Sequence, residues 1–92
     1  MRYVIVRDKS ELYAYPIENK DAAIQKFLYL VTSTGKRLFD SDGFPVYQNY
    51  WAIVNTINNG LSIWDYDFNY CICIIDYVPK NCIIINKGDD IT

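Results

Sequence analysis

Tyr70 to Asn86 reads YCICIIDYVPKNCIIIN, and the fold turns on how this stretch is disposed. It carries six isoleucines around a Pro79-Lys80-Asn81 break, the pattern of two strands and a turn. In an extended chain successive side chains point to opposite faces. Cys71, Cys73, Ile75 and Tyr77 therefore share one face, and Ile72, Ile74 and Val78 the other. A strand with one wet face alternates apolar with polar residues, yet both faces here are apolar. Helices can cover one face of a small sheet. The second face needs another cover: a partner, a second copy of the chain, or a further layer.

The elements around this ribbon follow from local signals. Arg2–Arg7 is β-branched and strand-like, Asp8–Glu11 is a polar turn, and Leu12–Tyr15 returns as a strand that Pro16 stops. Asn19 suits a helix N-cap, and Ala23, Ile24, Phe27, Leu28 and Val31 recur at helical spacing up to Gly35. A first helix is expected over about residues 20–34, followed by a connector over Lys36–Gly43. Pro45 suits the first turn of a second helix, with Val46, Tyr47, Tyr50, Trp51, Ile53, Val54 and Ile57 as its apolar stripe. Asn58-Asn59-Gly60 stops it. Leu61–Tyr66 is the third strand, and Asp67-Phe68-Asn69 the turn into Tyr70–Tyr77.

The order is ββααβββ. Segregated strands and helices predict one α+β domain over residues 1–92, in two layers: a five-stranded antiparallel sheet with both helices on one face. Leu12–Tyr15 and Leu61–Tyr66 read as edge strands, and the two-faced apolar strands as central. That gives the order 2-1-5-4-3, with a closing hairpin that sets Tyr77 opposite Cys82 and continues to Asn86.

Composition excludes several classes. The chain is 51% hydrophobic and 16% aromatic, with nine tyrosines, which is globular. A net charge of −2 without basic runs argues against nucleic acid, whose binding needs a concentrated basic surface. Three cysteines are an odd count with no secreted disulfide framework. Tyr70–Tyr77, interrupted by Asp76, is far too short to span a bilayer, and the N-terminal run has no signal-peptide pattern. A cytoplasmic chain with no membrane contact is expected, in the host cytoplasm if the source is viral.

Histidine is absent, which removes the commonest general base and most catalytic zinc sites. No enzyme activity and no cofactor are expected. Cys71, Cys73 and Cys82 lack a fourth soft ligand and read as buried small hydrophobes. Asp40-Ser41-Asp42-Gly43 has the opening of a calcium loop but no closing acid, and Pro45 interrupts it. Its aspartates are expected to help cap the second helix. Lys36 and Arg37 follow a helix C-terminus, where cations complement the helix dipole and phosphate is not cradled.

Trp64 to Tyr70 is the most suggestive segment for contact with another molecule. Trp64, Tyr66 and Phe68 would share one face, Asp65 and Asp67 the other. Trp64, Asp65, Tyr66, Asp67, Phe68 and Tyr70 form a candidate contact site for a basic partner surface. The alternative is ordinary: Trp64 and Tyr66 pack under the helices while the acids face water. Ile72, Ile74, Ile83 and Ile85 form a candidate homodimer face.

Two functions compete. One is a non-enzymatic protein-interaction module. The Ile-, Tyr-, Asn- and Lys-rich composition suits an AT-rich genome, and compact chains of this kind are often phage, viral or mobile-element accessory proteins that bind and inhibit a host protein. The other is a small-ligand (nucleotide or metabolite) binding protein. Its pocket would lie between sheet and helices or at a dimer seam, lined by Tyr13, Tyr15, Tyr47, Trp51 and Arg37. A carboxylate- or tyrosine-based enzyme has no supporting motif.

Overall fold

A computed structural model of the chain describes residues 2–85. Its strands are β1 (Tyr3–Asp8), β2 (Glu11–Pro16), β3 (Leu38–Asp40), β4 (Pro45–Val46), β5 (Ile63–Asp65), β6 (Tyr70–Ile75) and β7 (Ile83–Ile84). Its helices are α1 (Lys20–Thr34) and α2 (Tyr50–Asn58). The class is α+β: two helices and one sheet of seven strands, in the order β4-β3-β5-β6-β1-β2-β7.

Helix α1 spans the expected residues. Ala23, Ile24, Phe27 and Val31 are its buried stripe. Gly35 takes a left-handed φ of 65°, which lets the Lys36 amide return to the Val31 carbonyl at 3.1 Å. Helix α2 starts later than Pro45 suggested. Pro45 lies in β4, where its missing N–H costs nothing at the sheet edge. The N-cap is Asn49, whose side-chain Oδ1 accepts from the Ala52 amide at 2.8 Å.

The sheet corrects the expected strand count and order. The connector after α1 contains β3 and β4, a short hairpin. Asp40 holds it, with Oδ1 accepting from the Asp42 and Phe44 amides at 2.9 Å each. Asp40 thus stabilises a hairpin turn, not helix α2. β6 pairs β1 on one side and β5 on the other, so no free edge is left for a hairpin with β7. β7 instead pairs β2, in parallel, at the far edge. The sheet is therefore mixed, β2 and β5 are interior, and the Tyr77–Cys82 pairing does not form. Asn86, the expected end of the last strand, lies outside the described residues.

Handedness explains the layering. β2, β3, β6 and β7 run one way, and β1, β4 and β5 the other. Connections between parallel strands are right-handed in nearly all sheets. β2-α1-β3 and β4-α2-β5, with that hand, place both helices on the same face. β6 to β7 steps the opposite way along the sheet, so the same hand would take residues 76–82 past the other face. Burial agrees. Ala14 and Ile5 lie on that other face, with no helix above them, and are only 0% and 6% exposed.

The helix side holds the core. Val4, Val6, Tyr15, Leu38, Ile63, Tyr70 and Ile72 from the sheet pack with Ile24, Phe27, Val31, Ile53, Val54 and Ile57 from the helices. Ile74 and Ile85 are half-buried against the same cluster. No described helix is long and apolar enough to cross a membrane.

Candidate protein-contact site

Pairing registers fix what the uncovered face carries. Phe39 pairs Trp64, and Trp64 pairs Cys71. These three alternate with Leu38, Ile63 and Ile72 and so point away from the helices. Residues 66–69 then form the β5–β6 turn. Its bonds are short: the Phe68 amide donates to the Asp65 carbonyl at 3.1 Å, and the Tyr70 amide to Asp65 Oδ1 at 2.8 Å. The turn sets Phe68 at φ 58°, a left-handed conformation that costs a side chain with a Cβ about 1–2 kcal/mol. The ring of Phe68 meets Phe39 edge-on at 5.7 Å and Trp64 at 5.5 Å, and Phe39 meets Tyr66 at 5.2 Å.

Four rings therefore interlock at one end of the uncovered face. Tyr66 and Phe68 are 68% and 58% exposed, while Phe39 and Trp64 are half-buried beneath them. Trp64 Nε1 donates to Ser62 Oγ at 3.3 Å, which fixes the indole. The arrangement is rigid, apolar and displayed.

The six expected contact residues do not stay together. Trp64, Tyr66 and Phe68 join the cluster. Asp65 is fully buried on the helix side, one oxygen serving Tyr70 and the other, Oδ2, without a hydrogen-bond partner among the described residues. Tyr70 is buried in the core. Asp67 is exposed but bound to Lys36 Nζ at 2.5 Å, a contact that raises the Lys36 pKa. No acid of this segment remains free to draw a basic partner. Lys36 answers Asp67 rather than the end of α1. The candidate dimer residues fall on the helix side: Ile72 lies opposite Val6, Ile74 opposite Val4 and Ile83 beside Tyr13, while Ile85 packs on the core. Of these only Ile83 is exposed.

Phe39 is the member that the sequence hid, because it sat in an apparent connector. Its one signal was the Leu38-Phe39 pair between Arg37 and Asp40. The expected ligand residues also separate. Arg37 and Tyr47 line one cleft. Tyr15 is in the core, Tyr13 lies under Lys26 with 5.1 Å from ammonium to ring, and Trp51 is exposed on α2 against Tyr50.

Of the three cysteines expected to be buried only Cys71 is, and Cys82, like Cys73, is half-buried. The interaction with Cys73, together with burial, pushes the Cys71 thiol pKa up; the same interaction draws Cys73 down against its burial. Cys82 is raised by burial. Among the described residues no three Cys, Asp or Glu side chains gather closely enough to hold a metal ion.

Comparison with protein-family models, with curated proteins and with solved structures gave no match to this chain.

Proposed function

We propose that this chain is a non-enzymatic protein-interaction module whose contact surface is the Phe39-Trp64-Tyr66-Phe68 cluster. One observation carries the reading. The β5–β6 turn holds Phe68 in a left-handed conformation and still presents its ring largely to solvent. A monomer gains little from that strain, whereas a displayed, pre-ordered aromatic group suits the centre of an interface. A right-handed connection would set residues 76–82 over the β1–β2 half of the same face and leave the aromatic half as the open part.

The occupant argued for is a second copy. The acid beside the cluster is neutralised within the chain by Lys36, so the patch offers no acidic group to draw a basic partner. An apolar patch complements itself across a two-fold axis. Two sheets meeting face to face at about 10 Å would bury it.

Light scattering tests this. The expected species has twice the 10.8 kDa of one chain. A Tyr66→Ser/Phe68→Gly variant is expected to run as a folded single chain. A wild type that stays single up to about millimolar concentration, where even weak pairs form, would remove the second copy as occupant. A different protein, as in the host-blocking reading, would remain consistent with this surface only if the same double variant fails to bind it.

A further inference from the structure

We propose that the cleft between the β3–β4 hairpin and Tyr66 binds a planar aromatic anion about the size of a mononucleotide. The cleft measures about 550 Å³ and is lined by Arg37, Phe39, Pro45, Tyr47, Gln48 and Tyr66, among others. That volume lies within the roughly 300–1,000 Å³ typical of small-molecule sites. Three aromatic rings supply faces on which a flat ring can stack. Among the described residues Arg37 is the one charged group that lines the cleft, and no carboxylate lines it to repel an anion.

The state of Arg37 sets the ligand's charge. Its guanidinium has no hydrogen-bond or ion-pair partner among the described residues. Its neighbour Lys36 is engaged by Asp67, and the Lys36 carbonyl accepts from the Gln48 side-chain amide, which ties Gln48 into the cleft wall. The chain thus neutralises one cation of the pair and leaves the other, a planar fork suited to carboxylate, sulfonate or phosphate, beside the aromatic rings of the cleft. The site lies at the hairpin edge, not between sheet and helices. The cleft shares Phe39 and Tyr66 with the contact cluster, so a second copy docked there would compete with the ligand, but Arg37, Tyr47 and Gln48 belong to the cleft alone and the site does not need the protein-contact reading.

Titration of the isotope-labelled full chain by amide NMR tests the site. The probes are adenosine monophosphate and naphthalene-2-sulfonate, each against its uncharged counterpart, adenosine and 2-naphthol. Saturable shifts are expected over residues 37–48 and at Tyr66 with at least one anion, and which anion binds distinguishes a phosphate from a sulfonate-type source. The uncharged counterpart of a binding anion should bind at least about tenfold more weakly, the loss of one charge-assisted hydrogen-bond pair. Arg37→Gln should weaken the anion about tenfold with the spectrum of the core unchanged. Tyr47→Ala, at an exposed position, should weaken it too. Tyr29→Ala, exposed on α1 and not lining the cleft, should leave it intact. No saturable shift with either anion, equal binding of charged and uncharged probes, or unaltered binding to Arg37→Gln would each overturn the proposal.

Discussion

Ala14→Leu probes the route of residues 76–82, which decides which half of the sheet is open. Ala14 sits on the face away from the helices, level with Ile5 on β1 and Ile84 on β7, and is fully buried. On an uncovered face a leucine there would gain cross-strand contact with those isoleucines, a benefit of about 0.2–1 kcal/mol. Beneath a covering segment three added carbons have no room, and overpacking costs about 1–3 kcal/mol. The effects have opposite signs, so the sign alone decides. Urea unfolding of a chain this size has a slope of about 1–3 kcal/mol per M, which puts the expected fall in midpoint near 1 M. Pro79→Gly in the same background should loosen the cover and return part of the loss, a coupling of about 0.5 kcal/mol or more once each single change is subtracted. A midpoint that stays put or rises in Ala14→Leu would refute the routing.

Other outcomes follow from particular residues. Asp65→Ala should destabilise by about 1–3 kcal/mol, since it strands the buried Tyr70 amide, while Asp65→Asn keeps an acceptor there and should cost less; equal losses in chemical unfolding would contradict the capping role. Gly35→Ala should cost about 1 kcal/mol by calorimetry, through its φ of 65° alone, because nothing lies within 4 Å of an added Cβ; a neutral result would mean that the helix end is free to re-form. Alkali should weaken the fold. Cys71 and Cys82, ordinarily near 9.0, Tyr13 and Tyr50, near 10.0, and Lys36, near 10.5, all hold their protons more tightly when folded. Stability from such groups is present below their unfolded pKa and lost as pH rises through the folded one; Cys73 opposes the trend. The melting midpoint should fall from about pH 9 upward, and a midpoint that climbs between pH 8 and 11 would contradict these shifts.

Local signals in the sequence carried far, and long-range ones did not. Helix α1 was legible over its whole span because its apolar stripe and its terminal glycine agree, although Asn19 at the N-cap position makes no side-chain capping bond. The end of α2 was legible from Asn58-Asn59-Gly60, but its start was not, since Pro45 fits a sheet edge as well as a first helical turn. The central place of β1 and β6 followed from their two-faced apolarity. The place of β7 did not follow. Nothing local distinguishes a strand that folds back on β6 from one that passes two strands to reach β2, and only the occupation of both β6 edges settles it. β3 and β4, of three and two residues, are too short for any periodicity to show. The contact cluster was half legible. Alternation grouped Trp64, Tyr66 and Phe68, but Asp65 turned inward because the turn needed an acceptor for the Tyr70 amide.

Mass in solution bears most directly on the four-ring cluster as a docking surface. Phe68→Gly trades about 1–2 kcal/mol of relieved backbone strain against two exposed ring contacts of about 0.5–1.5 kcal/mol each, so the fold itself should be nearly unaffected. Light scattering should give twice 10.8 kDa for the wild type and 10.8 kDa for this variant, with matching circular dichroism. A variant that pairs as firmly as the wild type would contradict the account.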